Sequence, residues 1–328
     1  MKICIKLSII SISLALVAFS LLAEEKAPVE VKPKAQETGF WESIYNFFMP
    51  HAEKRNILYE KQTPYFLVTV EEDSRGWRHM VFNPNKGSQG IWNPKSPDEL
   101  ISNYCKFSTL FLTAIRNPPK RVLFIGLGAG IVPRFVRSNY PDAIIDIVEI
   151  DPEVPDIAEE YFGFRKDDKT TVYISDGRDF INRNKEKYDV IFIDAYTSEC
   201  IPFQLTTEEF YRKIRDSLAP DGVMTANVAN LGKPKFIASE IRTVRSIFPD
   251  LSIFITTNNS NYMFFSAYGR KLDSAGMREK AMSVEAGRRL SLKLSEMLDT
   301  RMSEEAIRKM EQEGQILKDD FAPVETMK

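Results

Sequence analysis

The chain has 328 residues, of which 43% are hydrophobic and 27% are charged, ordinary values for a globular protein. This length accommodates one large domain with an appendage, or two smaller domains. The formal net charge of -2 creates no overall field toward nucleic acid or anionic lipid, so we expect no nucleic-acid partner.

The first 23 residues have the pattern of a secretory signal. Lys2 and Lys6 form a basic start, and the stretch from Leu7 to Ala23 is apolar apart from serines. An acidic pair follows the small residues at its end. We therefore expect export, to the periplasm or outside the cell. The apolar run is long for a signal and short for a bilayer span, so an uncleaved membrane anchor is the alternative.

Cysteine and histidine are scarce after this segment. Cys105 and Cys200 are too few for a disulfide framework, and we expect two separate buried thiols, with a pairing left open. Both histidines, His51 and His79, precede the glycine cluster described below. This argues against a histidine-based triad or a multi-histidine metal site, and we expect no metal.

The pattern along the chain predicts five regions. These are a signal or anchor at 1–23, a linker with an aromatic segment at 24–59, a small antiparallel β-domain at 60–97, a Rossmann-like domain at 98–270, and a C-terminal helical region with a tail at 271–328. The charged stretch 276–314 predicts a long helix or a helix pair within the last region.

Strands and helices alternate from residue 121 onward. We predict strands at 121–126, 144–149, 171–175, 188–194, 222–228, 251–256 and 261–268. Helices are predicted at 130–139, 153–162, 177–184, 207–217 and 234–247. Such alternation is typical of an open, mostly parallel sheet, and the short link before the last strand requires an antiparallel final pair. The predicted fold class is α/β, with a seven-stranded, methyltransferase-like Rossmann sheet preceded by a small antiparallel β-domain.

A glycine cluster follows the first of these strands, with Gly126, Gly128 and Gly130 at alternate positions. A dinucleotide fingerprint requires glycine or alanine at the sixth position, where Ile131 stands. The spacing instead favours an adenosine sulfonium, a ligand without phosphates. The loop alone is weak evidence, because many such turns contain glycine only for its conformational freedom.

Acidic residues at three successive strand ends strengthen this interpretation. Glu149 ends the second strand, where a carboxylate can bind both ribose hydroxyls, and Asp151 follows it. Asp176, next to Gly177, follows the third strand, and Asp194 ends the fourth. Ligands of open sheets bind outside the carboxyl ends of the strands, so these residues are predicted to share one crevice. The alternative is that each acid caps the helix after it, which fits Asp176 well and Glu149 poorly.

Several stretches, taken in order, resemble the spermidine synthase family of polyamine aminopropyltransferases, in particular its divergent bacterial spermidine-synthase-like branch. They are "TPYFLVTV", "GSQ", "VLFIGLGAG", "DIVEID", "ISDGRDFI", "YDVIFIDAY", "TTEEFYRKIRDSLAPDGVMTANV" and "DDFAPVE". The resemblance covers about residues 60–265 and the tail. It implies a transferase of polyamine biosynthesis that moves an aminopropyl group from decarboxylated S-adenosylmethionine to an amine such as putrescine. It also implies a homodimer.

The resemblance assigns roles to individual residues. Glu149 matches the acid on the donor's ribose, Asp176 the acid at its adenine, and Asp194 the catalytic aspartate beside the attacking amine. Gln89 and Tyr104 match residues that line the site, and Tyr104 could hold the amine by a hydrogen bond.

Two departures from the family pattern concern charge. Ala129 stands where the family has an aspartate for the donor's ammonium, and Thr197 replaces a second aspartate after Asp194. Because each buried ammonium needs a partner, other acids are candidates for the amine. They are Glu199, Glu208, Asp319 and Asp320, with a helix-dipole role preferred for Glu208. Asp319 and Asp320 either fold back on the site or end a helix.

Three functions stay open from the sequence. Aminopropyl transfer comes first, methyl transfer from S-adenosylmethionine second, and a non-catalytic relative that binds a nucleoside or polyamine third. The loss of an acid at Ala129 weakens recognition of the decarboxylated donor but creates no group for the carboxylate of S-adenosylmethionine. The third function gains from the signal pattern, because neither donor is expected outside the cytoplasm.

Overall fold

The structure, a computed structural model, describes residues 55–83, 87–196, 201–287 and 292–321. The predicted signal or anchor, nearly all of the predicted linker, Thr197, Glu199, Cys200 and residues 322–328 lie outside the described residues. Within the described ranges, no helix is long and apolar enough to cross a membrane.

The described strands form two sheets. They are β1 (Asn56–Gln62), β2 (Leu67–Glu72), β3 (Arg78–Phe82), β4 (Ser88–Trp92), β5 (Arg121–Ile125), β6 (Ile144–Glu149), β7 (Thr170–Ile174), β8 (Tyr188–Ile193), β9 (Leu218–Ala229), β10 (Ser252–Ile255) and β11 (Asn261–Ala267). The helices are α1 (Asn103–Ser108), α2 (Phe111–Ala114), α3 (Ile131–Asn139), α4 (Val154–Phe162), α5 (Gly177–Arg183), α6 (Glu208–Ser217), α7 (Pro234–Ile247), α8 (Ser274–Gly287), α9 (Leu294–Met297) and α10 (Glu304–Glu311), with short 3-10 helices at Phe203–Leu205 and Leu298–Thr300.

The larger sheet has seven strands in the order β10-β11-β9-β8-β5-β6-β7. Strands β5 to β9 pair in parallel, while β11 is antiparallel to both β9 and β10. The predicted fold class is therefore confirmed, including the antiparallel final pair. The chain order reverses beside β5, the position at which open sheets bind ligands outside the carboxyl ends of their strands.

The smaller sheet is antiparallel, in the order β1-β2-β3-β4. Its first strand begins at Asn56, so the predicted domain boundary at residue 60 falls inside it. This edge strand is mostly exposed, with Ile57 at 60%. Because neither face of β1 is buried, its sequence shows no alternation of apolar and polar residues.

Apolar side chains cover both faces of the large sheet. Phe124 and Phe192 belong to one core, which extends to Val68 and Met80 of the small sheet. Leu123 and its neighbours form a second core with α6 and α7. The predicted strands and helices from 121 to 268 are found with small differences at their ends.

The C-terminal region differs from its prediction. Instead of one long helix or a helix pair over 276–314, the described residues form α8, the single turn α9, a 3-10 turn and α10. Arg301 lies between two of these pieces, and its guanidinium donates to Ser252 and to the carbonyl oxygen of Leu272. Packing onto the sheet edge therefore divides the region where the charge pattern alone predicts continuity.

A buried hydrogen bond joins the small sheet to the large one. Thr63, in the turn after β1, donates its hydroxyl to Asp151, which follows β6. Asp151 is fully buried, and its other oxygen accepts from the backbone N–H of Glu153 at 3.0 Å. The link therefore holds the turn between β1 and β2 against the carboxyl edge of the parallel strands.

Replacing Thr63 by valine should lower the free energy of unfolding by about 1–3 kcal/mol, because a buried carboxylate loses its donor. Urea unfolding of the full chain measures this difference. The control is Thr171→Val on the exposed edge strand β7, which should change stability by less than about 0.5 kcal/mol. Equal effects of the two substitutions would contradict the role given to this bond.

Candidate active site

The glycine loop after β5 is shaped by close backbone packing. Gly126 has φ of 100°, and a Cβ built on it would lie 2.2 Å from the carbonyl oxygen of Asp194. Gly128 and Gly130 also have positive φ, at 51° and 68°, but only Gly130 is crowded, by Phe164. The loop can therefore follow this path only with glycine at positions 126 and 130.

Glu149 ties this loop to the end of β6. One carboxylate oxygen accepts from the backbone N–H of Leu127 at 3.0 Å, and the other from that of Asp151 at 3.0 Å. Burial raises the pKa of Glu149 against the opposing effect of these bonds and of one from Gly128. The predicted contact of Glu149 with ribose stays a prediction.

Asp151 lies differently from its prediction as a cofactor contact. Its two oxygens are engaged by Thr63 and Glu153, and none of its surface is exposed. The physical reason is the position of the small sheet, whose turn covers this carboxylate. Asp151 is therefore a structural link between the sheets rather than a group open to a nucleoside.

Asp176 caps helix α5, as the alternative interpretation of the sequence expects. One oxygen accepts from the backbone N–H groups of Arg178 and Asp179, at 2.7 and 3.1 Å. The second oxygen accepts from the side chain of Gln204 at 3.1 Å. Gly177, next in the chain, packs against Ile125 so closely that a Cβ would lie 2.7 Å from that side chain.

Arg178 connects this strand end to the C-terminal tail. It donates to the carbonyl oxygen of Gln204, at 3.3 Å, to Thr207, at 3.0 Å, and to Asp319. Asp319 thus folds back onto α5, two residues after Asp176, while contact with an amine stays a prediction for Asp319 and Asp320. Glu208 pairs with Arg212 in the first turn of α6, as preferred from the sequence.

Asp194 lines a small cavity beneath the glycine loop. The cavity measures about 20 Å³, room for one water-sized group. Tyr104 and Asn227 provide polar atoms in its wall, and Phe124, Phe192 and Met263 provide much of the apolar surface. Burial raises the pKa of Asp194 to about 6, while a hydrogen bond from Asn227 opposes that rise. The cavity therefore holds a carboxylate suited to exchanging a proton near neutral pH.

Asn227 and Tyr196 are site residues that the sequence analysis missed. The amide of Asn227 donates to Asp194 at 2.9 Å, and its carbonyl side-chain oxygen accepts from Asn261 at 2.7 Å. The hydroxyl of Tyr196 donates to the backbone oxygen of Asn227 and accepts from the N–H of Ala229, both at 2.6 Å. The sequence does contain a signal for Asn227 as a site residue, because it is a polar residue near the carboxyl end of an apolar strand.

Tyr104 and Gln89 are in contact, and of the two it is Tyr104 that lines the cavity. The hydroxyl of Tyr104 donates to the backbone oxygen of Gln89 at 2.5 Å, and burial raises the pKa of Tyr104 well above its ordinary value. Cys105, beside it, is a buried free thiol. Tyr104 is thus a neutral hydrogen-bonding group in the cavity wall.

The position of Ala129 explains one departure from the family pattern. Ala129 is 2% exposed, and its side chain packs against the backbone of Gly90 in β4. A Cβ built on Gly90 would lie 2.5 Å from that of Ala129. An aspartate would need space that the small sheet fills, so a small residue fits here.

The strand-end acids follow one edge of the sheet. In the order β8, β5, β6, β7 come Asp194, the glycine loop, Glu149 and Asp176. Three strand spacings separate the first acid from the last, about 14 Å. A nucleoside with a short side chain is long enough to span this distance. The described residues contain no group of three or more potential metal ligands.

Comparison with known proteins agrees with this geometry. The family described as "Spermine/spermidine synthase domain" matches residues 103–273. The polyamine aminopropyltransferase of Vibrio vulnificus is 33% identical over 280 residues, which are 83% of this chain and 91% of the relative. The chain belongs to the spermine/spermidine synthase family.

Two solved structures are similar in fold. A spermidine synthase in complex with the transition state analogue AdoDATO has a TM-score of 0.63 at 18% identity and covers 87% of this chain and 98% of its own. Human methyltransferase-like protein 13 in complex with SAH has a TM-score of 0.53 at 29% identity, and the match covers 58% of this chain and 95% of that protein's chain. The region matched to the family contains Tyr104, the glycine loop and the strand-end acids, while Gln89 precedes it.

Two glycines of the loop provide a matched test of its packing. Gly126→Ala should destabilise the protein by several kcal/mol and abolish nucleoside binding, because the new Cβ would overlap the backbone of Asp194. Gly128→Ala has the same kind of backbone strain but open space, so we expect a loss of about 1–2 kcal/mol. Thermal unfolding and calorimetry with methylthioadenosine measure both effects. A Gly126→Ala protein as stable as Gly128→Ala would refute the close approach.

Proposed function

We propose that this chain transfers an aminopropyl group from decarboxylated S-adenosylmethionine to an amine such as putrescine. The observation that carries the proposal is the half-buried carboxylate of Asp194, which lines a small cavity beneath the glycine loop. Membership in the spermine/spermidine synthase family supports it. The polyamine aminopropyltransferase name of a relative that aligns over 91% of its length supports it further.

The chemical difficulty of this reaction lies in the amine. An alkylamine has a pKa of about 10 and is protonated near neutral pH, so it must lose a proton before it can attack. Asp194 is the base in our proposal, and Tyr104 lies in the same cavity wall to hold the nitrogen. A cavity of about 20 Å³ suits one amine head group, whose alkyl chain then extends out of it.

The transfer step forms one bond and breaks one. The deprotonated nitrogen attacks the donor carbon next to the sulfonium, and the carbon–sulfur electron pair returns to sulfur as a neutral thioether. The proton removed from the nitrogen resides on Asp194. Positioning of the two reactants can lower the activation free energy by on the order of 7 kcal/mol. Proton acceptance by Asp194 can raise the rate roughly 100-fold.

The donor would lie along the carboxyl edge of the sheet. Glu149 faces its ribose and Asp176 its adenine in this arrangement. Gln204, which donates to Asp176, lies beside the adenine in this arrangement. The solved relatives with AdoDATO and SAH support an S-adenosylmethionine-related ligand for the fold.

Methyl transfer is the second candidate, favoured by the likeness to human methyltransferase-like protein 13. The charge of the cavity argues against it. S-adenosylmethionine carries a carboxylate that decarboxylated S-adenosylmethionine lacks, and no lysine or arginine is among the described residues that line the cavity. A second carboxylate near Asp194 would meet repulsion.

The choice of donor tests this proposal directly. Decarboxylated S-adenosylmethionine should bind at least about tenfold more tightly than S-adenosylmethionine, because each 1.4 kcal/mol of charge repulsion is worth a factor of ten. Isothermal titration calorimetry measures both affinities, with methylthioadenosine as the uncharged reference. Tighter binding of S-adenosylmethionine would favour methyl transfer instead.

The Asp194→Asn substitution tests the mechanism. Transfer to putrescine should fall at least about 100-fold because the base is lost, while methylthioadenosine should bind almost as tightly as before. Product analysis with both substrates measures the first effect, and calorimetry the second. Asp250→Asn, at an exposed position, is the matched control and should leave both unchanged. Normal turnover in Asp194→Asn would disprove the proposed base.

A further inference from the structure

A chain of side-chain amides leads from Asp194 to a turn outside the cavity. Asn227, in β9, donates to Asp194 at 2.9 Å, and Asn261, the first residue of β11, donates to Asn227 at 2.7 Å. The antiparallel register pairs Asn261 with Ala229, two residues beyond Asn227. Asn261 is not among the residues that line the cavity.

The order of donors and acceptors in this chain is coupled to the state of Asp194. An ionised carboxylate only accepts hydrogen bonds, so the NH₂ group of Asn227 must face it. The other end of the same amide then needs a donor, which Asn261 supplies. If the carboxyl group were protonated and donated to Asn227, both amides would have to turn over.

The turn before β11 fixes Asn261 in place. Its backbone N–H donates to the hydroxyl of Thr256 at 3.0 Å, and its backbone oxygen accepts from the N–H of Thr256 at 3.0 Å. Its side-chain oxygen accepts from the hydroxyl of Ser260 at 2.5 Å. These bonds direct the side-chain NH₂ group of Asn261 at Asn227.

Other titratable groups near Asp194 are neutral where it titrates. Tyr104 and Cys105 lie on α1, and burial raises the pKa of Tyr104 well above its ordinary value and that of Cys105 to about 12. Tyr196 follows Asp194 on the same loop, and burial raises its pKa as well. Among the described residues, Asn227 is the one whose side chain donates a hydrogen bond to this carboxylate.

We propose that Asn261 is a positioning residue, which holds the amide of Asn227 so that its donor end faces Asp194. Its meaning for catalysis rests on the proposed role of Asp194 as the base. Asn261 acts through Asn227 and touches neither substrate nor reacting atoms.

The test is to reverse the direction of the amide chain. In Asn261→Asp, the new carboxylate accepts from the NH₂ group of Asn227, which turns the oxygen of that amide toward Asp194. Asp194 can bond to this oxygen only when protonated, so its titration should move to higher pH. We expect kcat/KM at pH 5, below the pKa of about 6 for Asp194, to fall about tenfold, because tenfold tighter proton binding then depletes the ionised base by about the same factor.

Asn259→Asp is the matched control. It adds the same charge to the same turn at an exposed position, with a φ of 56° that aspartate tolerates. Its pH profile should match that of the unmodified chain. If Asn261→Asp and Asn259→Asp gave the same profile, the proposal would be overturned.

A double-mutant cycle separates the amide chain from a direct effect of charge. In an Asn227→Leu background, Asn261→Asp should change the profile by no more than about twofold, because the intermediate amide is absent. A full tenfold effect in that background would show direct repulsion and contradict the proposal. Asn261→Leu, which adds no charge, should move the titration in the same direction but less, and an unchanged titration would contradict the proposal as well.

A readout without turnover keeps this inference distinct from the proposed function. Carbon-13 NMR follows the titration of the Asp194 carboxyl group, assigned by its loss in Asp194→Asn. If the chain transferred no aminopropyl group while the Asn261→Asp titration moved as expected, the proposed function would fail and the positioning role would stand. If the enzyme were active but the titration of Asp194 did not move in Asn261→Asp, the proposed function would stand and the positioning role would fail.

Discussion

The turn after β5 lies so close to the end of β8 that a side chain at position 126 would overlap the backbone there. Gly126 has no side chain, so its backbone contacts the carbonyl group of Asp194 directly. Because β5 lies between β8 and β6, the same turn also meets Glu149, which accepts hydrogen bonds from its N–H groups. One sterically enforced turn thus sets the separation between the proposed base and the proposed ribose contact.

The acids at the strand ends combine structural and ligand roles. Glu149 holds the glycine loop, and Asp176 caps a helix with one oxygen while the other faces Gln204. The second oxygen of Asp176 accepts one bond and keeps one lone pair, so the capping bonds of Asp176 do not exclude a nucleoside. They also place the carboxylates in advance, which lowers the entropy lost when a ligand binds. Capping the helix and contacting a ligand, the two alternatives that the sequence leaves open for Asp176, are therefore compatible.

The large sheet was predictable because its strands, apart from the exposed edge strand β7, are largely buried on both faces and consist of short apolar runs between glycines and acids. Asp194 and Tyr104 could be placed at one site because strand ends share an edge and the family motif includes both. The missed features depend on contacts between distant segments. Asp151 is covered by a turn from the other sheet, Asn227 is oriented by Asn261, and the exposed strand β1 has no buried face. No local pattern encodes such pairings.

The tail after α10 has a mechanical consequence. Its backbone N–H groups at Gln315 and Leu317 donate to hydroxyls of α7, and Asp319 then pairs with Arg178, next to the acid proposed for adenine. Pulling on the C-terminal end, or cleaving it, would therefore disturb the residues around Asp176, the acid proposed to contact adenine. Purification handles and fusion partners at the C-terminal end risk disturbing the same residues.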